Sequence, residues 1–278
     1  MESLFLPDCQ HRARFLRQFS PSVRSPVGRS VCRRPIEALR IGCGEPRVLI
    51  AVGFHGTEYL TVLAALYFAL EYAEAPENEV WVVPCVNPDG TEIALHGCES
   101  AGKRRECERQ SCPDKNKWQA NARGVDINHN FDADWEQVHR RERAMGIDRP
   151  SCTRYGGAFP ESEPETQALS RLCRRVRFER VLALHSQGRE IYWDFGEHTP
   201  PCCRTLADKM AAVSGYRVAK PEPIATGGGF KDWFIQCFHR CGYTVEMGLG
   251  ENPLPLSELP EEYPKVRELL RVFVRCEW

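Results

Sequence analysis

The sequence has almost no net charge. Its 37 Lys and Arg residues nearly balance its 38 Asp and Glu residues, which gives a formal net charge of −1 at pH 7. Proteins that hold the phosphate backbone of nucleic acids usually carry a basic excess. The balance therefore argues against a nucleic-acid partner, and the basic clusters Arg33–Arg34 and Lys103–Arg105 are interpreted as solvated surface.

The sequence also lacks a long apolar segment. No uninterrupted apolar run reaches the roughly 18 residues that a membrane-spanning helix needs. The first residues, MESLFLPDCQHRARF, show no basic segment followed by an apolar stretch, so we expect no secretory signal. These two absences predict a cytoplasmic protein with no membrane partner.

A cysteine framework is missing as well, although the chain has 14 cysteines. Their spacing is irregular, and the C-x₂-C pairs typical of thiolate zinc sites do not occur. Because a chain of this size can build a core without disulfides, we interpret the cysteines as mostly free, partly buried thiols. A zinc site formed by Cys98, Cys107 and Cys112 stays open as an alternative.

What the sequence does contain is an alternation of short apolar segments and helical patterns. Four segments rich in branched residues are predicted to be buried strands, and two longer segments have helical spacing. The strands are 47–53, 79–85, 180–184 and 243–247, and the helices are 58–73 and 163–176. This alternation predicts an α/β fold with a mixed, largely parallel central sheet and helices on both faces.

The same patterns suggest the organisation of the chain. Residues 1–35 lack clear periodicity over most of their length and are predicted to form an N-terminal lead-in, helical over residues 1–25. Residues 36–278 are predicted to form a single catalytic domain. Within it, Asn87-Pro88-Asp89-Gly90 is a turn signal, and the polar, charged segment 95–122 is predicted to be a long surface loop.

Chemically active side chains lie at the ends of the predicted strands. His55 and His185 each follow a strand, and Glu246 lies near the end of another. In open α/β sheets, ligands bind beyond the carboxyl ends of the strands. His55 and Glu58 form an H-x-x-E motif at a strand-to-helix turn, where an imidazole and a carboxylate can converge on one cation. With His185 as a third ligand, the set suits zinc and leaves a fourth position open.

Each of these residues also has a plain structural interpretation. H-x-x-E arises by chance in many proteins, and a lone histidine at a strand end is often a hydrogen-bonded structural residue. Glu246, between Val245 and Met247, would point to solvent in an ordinary strand. The joint placement of the residues at strand ends favours the metal site.

At these residues the sequence resembles the zinc carboxypeptidase family of metallopeptidases (M14). The resemblance covers residues 36–256 and rests on six blocks in the family's order. They are HGTE at 55–58, VNPDG at 86–90, ARGVDINHNF at 122–131, ALHSQG at 183–188, GGGFKDW at 227–233 and TVEMGLGENPLP at 244–255. The blocks HSQGREIYW, GGGFKDWFIQ and GLGENPLP resemble in particular the bacterial γ-D-glutamyl-L-diamino acid peptidases, which cut peptidoglycan stem peptides.

The resemblance implies a role for each metal-site residue. His55, Glu58 and His185 match the family's ligands for one zinc ion. Glu246 matches the general base, which takes a proton from the attacking water and passes it to the leaving amine.

The resemblance also implies contacts with the substrate. Asn128 matches a residue that helps to hold the substrate's carboxylate, and Arg123 is the candidate for stabilising the oxyanion, with Lys117 as its competitor. Further candidate substrate-binding residues are His129, Ser186 and Gly228.

Two positions depart from the family pattern. The usual Asn-Arg pair reads Asn128-His129, and a histidine cannot form the bidentate fork by which arginine clamps a terminal carboxylate. Ile224 stands where classical carboxypeptidases have a tyrosine that covers the substrate. Both departures argue against a simple preference for free C-termini. They fit a specialised substrate, and equally a loss of activity.

The sequence therefore predicts a zinc metallopeptidase that cuts the γ-D-glutamyl–diaminopimelate bond of a murein peptide inside the cell, during wall recycling or sporulation. A general metallocarboxypeptidase and a deacylase of small N-acyl amino acids are alternative enzymes. A non-catalytic binder of wall fragments is the alternative from another class. The sequence gives no indication of the oligomeric state.

Overall fold

A central sheet with helices on either side forms the body of the molecule. The computed structural model describes residues 5–102, 114–222 and 225–275. The strands are β1 Arg24–Arg29, β2 Pro35–Ile41, β3 Val48–Val52, β4 Val80–Val83, β5 Arg180–His185, β6 Glu190–Tyr192, β7 Arg217–Ala219 and β8 Cys241–Glu246. The helices are α1 Cys9–Leu16, α2 Tyr59–Glu74, α3 Pro88–His96, α4 Trp135–Ala144, α5 Pro164–Val176, α6 Cys202–Ser214, α7 Phe230–Phe238 and α8 Leu259–Arg275.

The sheet is mixed, with a parallel centre. Its strand order is β1-β2-β4-β3-β5-β8-β6-β7. The four central strands, β4, β3, β5 and β8, pair in parallel. Strands β1, β2 and β6 add antiparallel pairings on the two sides. The predicted mixed, largely parallel sheet is therefore confirmed.

Helices cover both faces of the sheet, as the sequence predicted. Successive residues of β3 point in opposite directions, so that Ile50 belongs to one buried cluster and Leu49 to the other. Helices α2, α6 and α8 supply the first cluster, and α5 and α7 supply the second. Every residue of β3 and β5 is buried, which explains why Val48–Val52 and Val181–Leu184 appear in the sequence as continuous apolar runs.

Between residues 87 and 122, one local prediction is wrong and a second holds only in part. Asn87-Pro88-Asp89-Gly90 begins helix α3: Asn87 caps it by accepting the N–H of Gly90 at 2.8 Å, and Pro88 occupies its first turn. Residues that favour turns also favour helix starts, so the same four letters fit both. The last part of the predicted surface loop 95–122 is buried. Trp118 is only 1% exposed and packs in a third apolar cluster.

The N-terminal segment and the cysteines also differ from expectation. Helix α1 lies in the predicted lead-in, but β1 lies there too and pairs with β2, so the sheet extends across the predicted boundary at residue 35.

Cys203 and Cys241 form a disulfide that joins α6 to the start of β8. No local pattern signals this pair, because 38 residues separate its members. Most other described cysteines are free, as predicted.

Some sequence predictions fall on segments with limited description. Cys107 and Cys112 of the alternative thiolate site, and Ile224, lie outside the described residues. Among the residues that are described, no helix combines the length and the apolar character needed to cross a bilayer.

A buried carboxyl outside the metal-ligand set gives the fold a distinct pH dependence. Glu165 is fully buried on α5 and accepts hydrogen bonds from the N–H of Val31 at 2.9 Å and from Asn121 at 3.3 Å. Burial, together with the charge of Asp89, raises the pKa of Glu165 from 4.5 to about 8. Between these pH values the unfolded chain releases a proton that the folded protein keeps. The free energy of unfolding therefore falls as pH rises through this window.

We expect Glu165→Gln to remove this dependence. Between pH 4.5 and pH 8 the wild type should lose unfolding free energy that the variant does not lose. The difference should be on the order of a few kcal/mol, at roughly 1.4 kcal/mol per pKa unit. Urea unfolding of both proteins at the two pH values measures the difference. The exposed Glu136→Gln is the matched control. A stability change that is the same at both pH values would contradict the assignment.

Candidate metal centre

The fold brings the predicted ligands together at the carboxyl edge of the parallel strands. His55 lies three residues beyond the end of β3, and His185 is the last residue of β5. His185 is paired in register with Glu246, the last residue of β8. Glu58 immediately precedes α2, and its carboxylate makes no capping hydrogen bond to that helix, so it is free to face the two imidazoles.

Gly56 explains why the turn between His55 and Glu58 takes this path. Its backbone packs so closely against α3 that a Cβ would lie 2.3 Å from the carbonyl oxygen of Gly90. The N–H of Gly56 donates to the carbonyl oxygen of Gln119 at 3.1 Å. The turn is therefore fixed from both sides, and only glycine fits at its centre.

The three ligand side chains share one centre. The Nδ1 atom of His55 lies 2.7 Å from Oε1 of Glu58, and the Nδ1 atom of His185 lies 2.9 Å from Oε2. One potential ligand atom from each residue lies within 4.8 Å of the other two. Two imidazoles and one carboxylate form a recurrent donor set of catalytic zinc sites.

The protonation and burial of these groups fit a metal ion. Burial favours the neutral form of Glu58, but the charges and hydrogen bonds of His55 and His185 outweigh it and lower the pKa of Glu58 to about 2. The carboxylate is thus in the ionised form that metals bind. His185 is 1% exposed, and its Nε2 atom is buried with no hydrogen-bond partner among the described residues. The Nδ1 atom, which lies beside the Glu58 carboxylate, is the atom of this ring that is aimed at the metal position.

Asp126 orients the other histidine, a role that the sequence analysis missed. Its Oδ1 atom lies 3.1 Å from Nε2 of His55, on the side of the ring opposite Glu58. Backbone N–H groups of Asn128 and Arg154 fix the carboxylate at 3.1 and 2.8 Å. Burial opposes the charged form, but His55 and then His129 hold the pKa of Asp126 well below its usual range. A carboxylate in this position keeps the ring proton on Nε2 and frees Nδ1 for the metal.

We expect Asp126→Asn to weaken zinc binding about 10- to 100-fold, because the amide holds the His55 proton less firmly than the carboxylate does. Competition with a chelator of known affinity measures the change. The exposed Asp132→Asn should leave the affinity unaltered and serves as the control. An unchanged affinity in Asp126→Asn would show that His55 does not need this partner.

Glu246 is placed to receive a proton. Its side chain is partly exposed to a cavity of about 130 Å³ that His55 and His185 also line, and it makes no hydrogen bond to the described residues. Burial, and then the charge of Glu58, raises the pKa of Glu246 well above its ordinary value, while His55 opposes the rise. A cation at the three ligands would favour the ionised carboxylate, because opposite charges stabilise one another.

Two predicted substrate contacts line the same cavity. Asn128 accepts the N–H of Phe230 on Oδ1 at 3.1 Å, which leaves its amide NH₂ group for a ligand. His129 lines the cavity beside it. Sequence reasoning missed Lys231 and Asp232, which line the cavity from the first turn of α7 and form an ion pair with each other. Their place after three glycines, in GGGFKDW, was the available signal.

The remaining predicted residues do not line this cavity. Arg123 lies near Glu163, with Nη1 and Oε2 3.4 Å apart, and its competitor Lys117 is exposed on the surface. Ser186 donates its hydroxyl to Asn252 at 2.8 Å. Gly228 has a φ of +70° and packs against the backbone of His129, so that a Cβ would lie 3.0 Å from its carbonyl oxygen. The catalytic role of Arg123 and the substrate roles of Ser186 and Gly228 stay predictions.

Two named bacterial proteins are similar to this chain in sequence. A γ-D-glutamyl-L-diamino acid endopeptidase 1 from Lysinibacillus sphaericus is 35% identical over 272 residues, which cover 90% of this chain and 66% of the relative. The murein peptide amidase A of Escherichia coli K12 is 34% identical over 219 residues, or 77% of this chain and 75% of the relative. The chain thus spans just under two thirds of the length of the first relative.

Solved structures share the fold. Bovine thrombin-activatable fibrinolysis inhibitor, in complex with tick carboxypeptidase inhibitor, superposes with a TM-score of 0.73 at 18% identity, over 96% of this chain and 95% of the other. The murein-tripeptide amidase MpaA from Escherichia coli O157 superposes with a TM-score of 0.62 at 24% identity, over 95% and 97%. These likenesses confirm the predicted carboxypeptidase-like architecture.

A model of one protein family matches most of this chain, including the metal-ligand set. The model of the zinc carboxypeptidases matches residues 16–268, which include all three metal ligands and Glu246. This match confirms, at the level of the family, the predictions of a hydrolase, a metallopeptidase and a zinc cofactor. The chain belongs to the zinc carboxypeptidase family.

Proposed function

We propose that the protein hydrolyses the amide bond between γ-D-glutamate and a diamino acid in peptides derived from peptidoglycan, with Glu246 as the general base. The observation that carries the chemistry is the carboxylate of Glu246, which has no hydrogen-bond partner among the described residues, beside the His55–Glu58–His185 set. The substrate class is supported by the names of the relatives, a γ-D-glutamyl-L-diamino acid endopeptidase and a murein peptide amidase.

The residues around the cavity have different roles in amide hydrolysis. When bound, a zinc ion lowers the pKa of water to about 7 and polarises the substrate's carbonyl. Glu246 accepts a proton from the attacking water and delivers it to the leaving amine. Its carboxylate has no hydrogen-bond partner in the described part of the chain, and this suits the role because no described group has to release it first. Asn128 offers its amide NH₂ to a carboxylate of the substrate.

The cavity supports a specialised substrate. No arginine is among its described lining residues, and the ammonium of Lys231 is already paired with Asp232. A bidentate clamp for a terminal carboxylate is therefore missing from the part of the site that the structure describes. This favours a peptidase for an unusual peptide over a general carboxypeptidase. Action in the cytoplasm, on wall fragments during recycling or sporulation, is part of the proposal.

The test is a defined substrate panel offered to the zinc-loaded protein. We expect release of diaminopimelate from L-Ala-γ-D-Glu-meso-diaminopimelate, detected by mass spectrometry. The panel includes an ordinary peptide with a free C-terminus and a set of N-acyl amino acids. Loss of a C-terminal residue from the ordinary peptide alone would indicate a general carboxypeptidase. Turnover of the N-acyl amino acids alone would indicate a deacylase, and either result would overturn the proposal.

Cell fractionation tests the proposed location. In a producing cell, the protein should be recovered with cytoplasmic markers. Recovery with the wall or in the culture medium would contradict action on internalised fragments.

A further inference from the structure

A free thiol lies against the one disulfide found among the described residues. Cys203 and Cys241 form that disulfide, and both are buried, at 0% and 2% exposure. Cys202, which precedes Cys203 on α6, is a free cysteine at the surface. Its Sγ atom lies 3.8 Å from that of Cys241, and all three sulfurs lie within 4.8 Å of one another. The three residues therefore connect a buried disulfide to an exposed thiol.

This contact places the groups of a thiol–disulfide exchange side by side. Because Cys241 is part of the disulfide, its sulfur carries no hydrogen, and the S–H group in the contact belongs to Cys202. Exchange begins when a thiolate attacks one sulfur of a disulfide. Cys202 and Cys203 are neighbours on a helix, where successive side chains point about 100° apart. The sulfur that Cys202 can attack is therefore that of Cys241, which leaves Cys203 as the leaving group.

The two disulfide sulfurs belong to the interior of the protein. Cys203 and Cys241 are members of the apolar cluster on the α6 and α8 side of the sheet, together with Leu206 and Tyr243. The hydroxyl of Tyr243 donates to the carbonyl oxygen of Cys203 at 3.0 Å, which holds the start of α6 in place. A thiol from solution has to disturb this packing to reach either sulfur directly. The surface sulfur of Cys202 can be reached without such a disturbance.

We propose that Cys202 is an exchange site through which low-molecular-weight thiols, such as glutathione, open the Cys203–Cys241 disulfide. In the first step the Cys202 thiolate attacks Sγ of Cys241, a Cys202–Cys241 disulfide forms, and Cys203 leaves as a thiolate and takes up a proton. In the second step the thiolate of the small molecule attacks Sγ of Cys202, and Cys241 leaves and is protonated. The products are a mixed disulfide on Cys202 and two interior thiols, and no oxidant is consumed.

The exchange changes how β8 is attached to the rest of the protein. Cys241 is the first residue of β8 and Glu246 is the last. The disulfide joins the start of this strand to α6, whereas the pairing of β8 with β5 places Glu246 beside His185. Opening the disulfide therefore releases α6 from β8 and leaves the metal site in place. We expect the opened protein to melt at a lower temperature, because a disulfide restricts the unfolded chain, and to keep its zinc.

The test follows the disulfide and not peptide hydrolysis, so it is independent of the proposed function. Folded, zinc-loaded protein is equilibrated with oxidised glutathione and then mixed with reduced glutathione, and acid-quenched samples are mapped by mass spectrometry. A glutathione adduct on Cys202 should appear as the Cys203–Cys241 link disappears. Cys202→Ser should lose the link at least about 10-fold more slowly, because glutathione must then reach a buried sulfur. Cys237→Ser, which removes another exposed free cysteine, is the matched control and should react at the wild-type rate.

A second variant, Cys203→Ser, isolates the first step. Cys202 and Cys241 then remain, and oxidised glutathione should join them in a disulfide that proteolysis and mass spectrometry assign to this pair. The melting temperature and zinc content of each variant, measured before any thiol is added, check the fold. The inference is wrong if Cys202→Ser loses its disulfide as fast as the wild type, or if folded Cys203→Ser does not form the new link. It is equally wrong if the equilibrated wild type has no Cys203–Cys241 disulfide.

Discussion

Replacing Glu246 by glutamine is expected to lower kcat for amide hydrolysis by about 10²- to 10⁴-fold, the usual contribution of a positioned general base. Glutamine has nearly the same shape but cannot accept the proton of the attacking water. The zinc content should stay unchanged, because Glu246 is not among the three residues whose ligand atoms converge. Steady-state kinetics and metal analysis of the same preparation measure both effects.

Glu190→Gln is the matched control for this variant. Glu190 lies directly opposite Glu246 on the neighbouring strand, but its carboxylate is engaged by Tyr192 and Arg217. We expect this change to leave kcat within a few-fold of the wild type. Equal losses in the two variants would show that the strand pairing, and not the base, had been disturbed.

The Glu246→Gln experiment also decides between enzyme and binder. A non-catalytic wall-fragment binder would hold zinc, bind the peptide and show no turnover of any amide in the wild-type form. In that case Glu246→Gln would have nothing to abolish. The intact ligand set, and a Glu246 carboxylate that no described residue engages, favour an enzyme.

Loss of a metal ligand is the second change with a large expected effect. His185→Gln should reduce the zinc retained after dialysis from one ion per chain to nearly none and abolish hydrolysis. Three protein ligands are the usual minimum of a catalytic zinc site, and glutamine has no imidazole nitrogen to replace Nδ1. Zinc analysis by mass spectrometry, with circular dichroism as a check on the fold, measures the outcome.

A second group of potential ligands provides the control. Cys202 lies near the disulfide partners Cys203 and Cys241, with its Sγ atom 3.8 Å from that of Cys241. If zinc were held by these sulfurs, Cys202→Ser would lose metal. We expect Cys202→Ser to keep its zinc and its activity. The opposite pattern, with zinc retained in His185→Gln and lost in Cys202→Ser, would contradict the assignment of the centre.

The parts of the fold that could be predicted are those in which local sequence and tertiary structure agree. Strands β3 and β5 are buried on both faces, so Val48–Val52 and Val181–Leu184 are apolar throughout and stand out from their surroundings. Parallel strands end at one edge of the sheet, so the sequence alone predicts that His55, Glu58 and His185 lie close together. The H-x-x-E motif alone would not have sufficed. Its position at a strand end made it informative.

Other features depend on partners that no local pattern reveals. Asp126 meets His55 across 71 positions of sequence, and Glu142 meets His129 across 13. Trp118 lies in a polar stretch, yet it is buried in an apolar cluster that includes Val31 and Ile93 of α3. These contacts depend on how the loops pack around the edge of the sheet. The spacing of residue types along the sequence does not predict that packing.

The most direct test of the centre is zinc X-ray absorption on the freshly purified protein. Two imidazoles and a carboxylate predict nitrogen and oxygen neighbours at about 2.0–2.2 Å, with the outer scattering typical of imidazole rings and no sulfur. A sulfur shell at about 2.3 Å would place the metal on the cysteines and contradict the account.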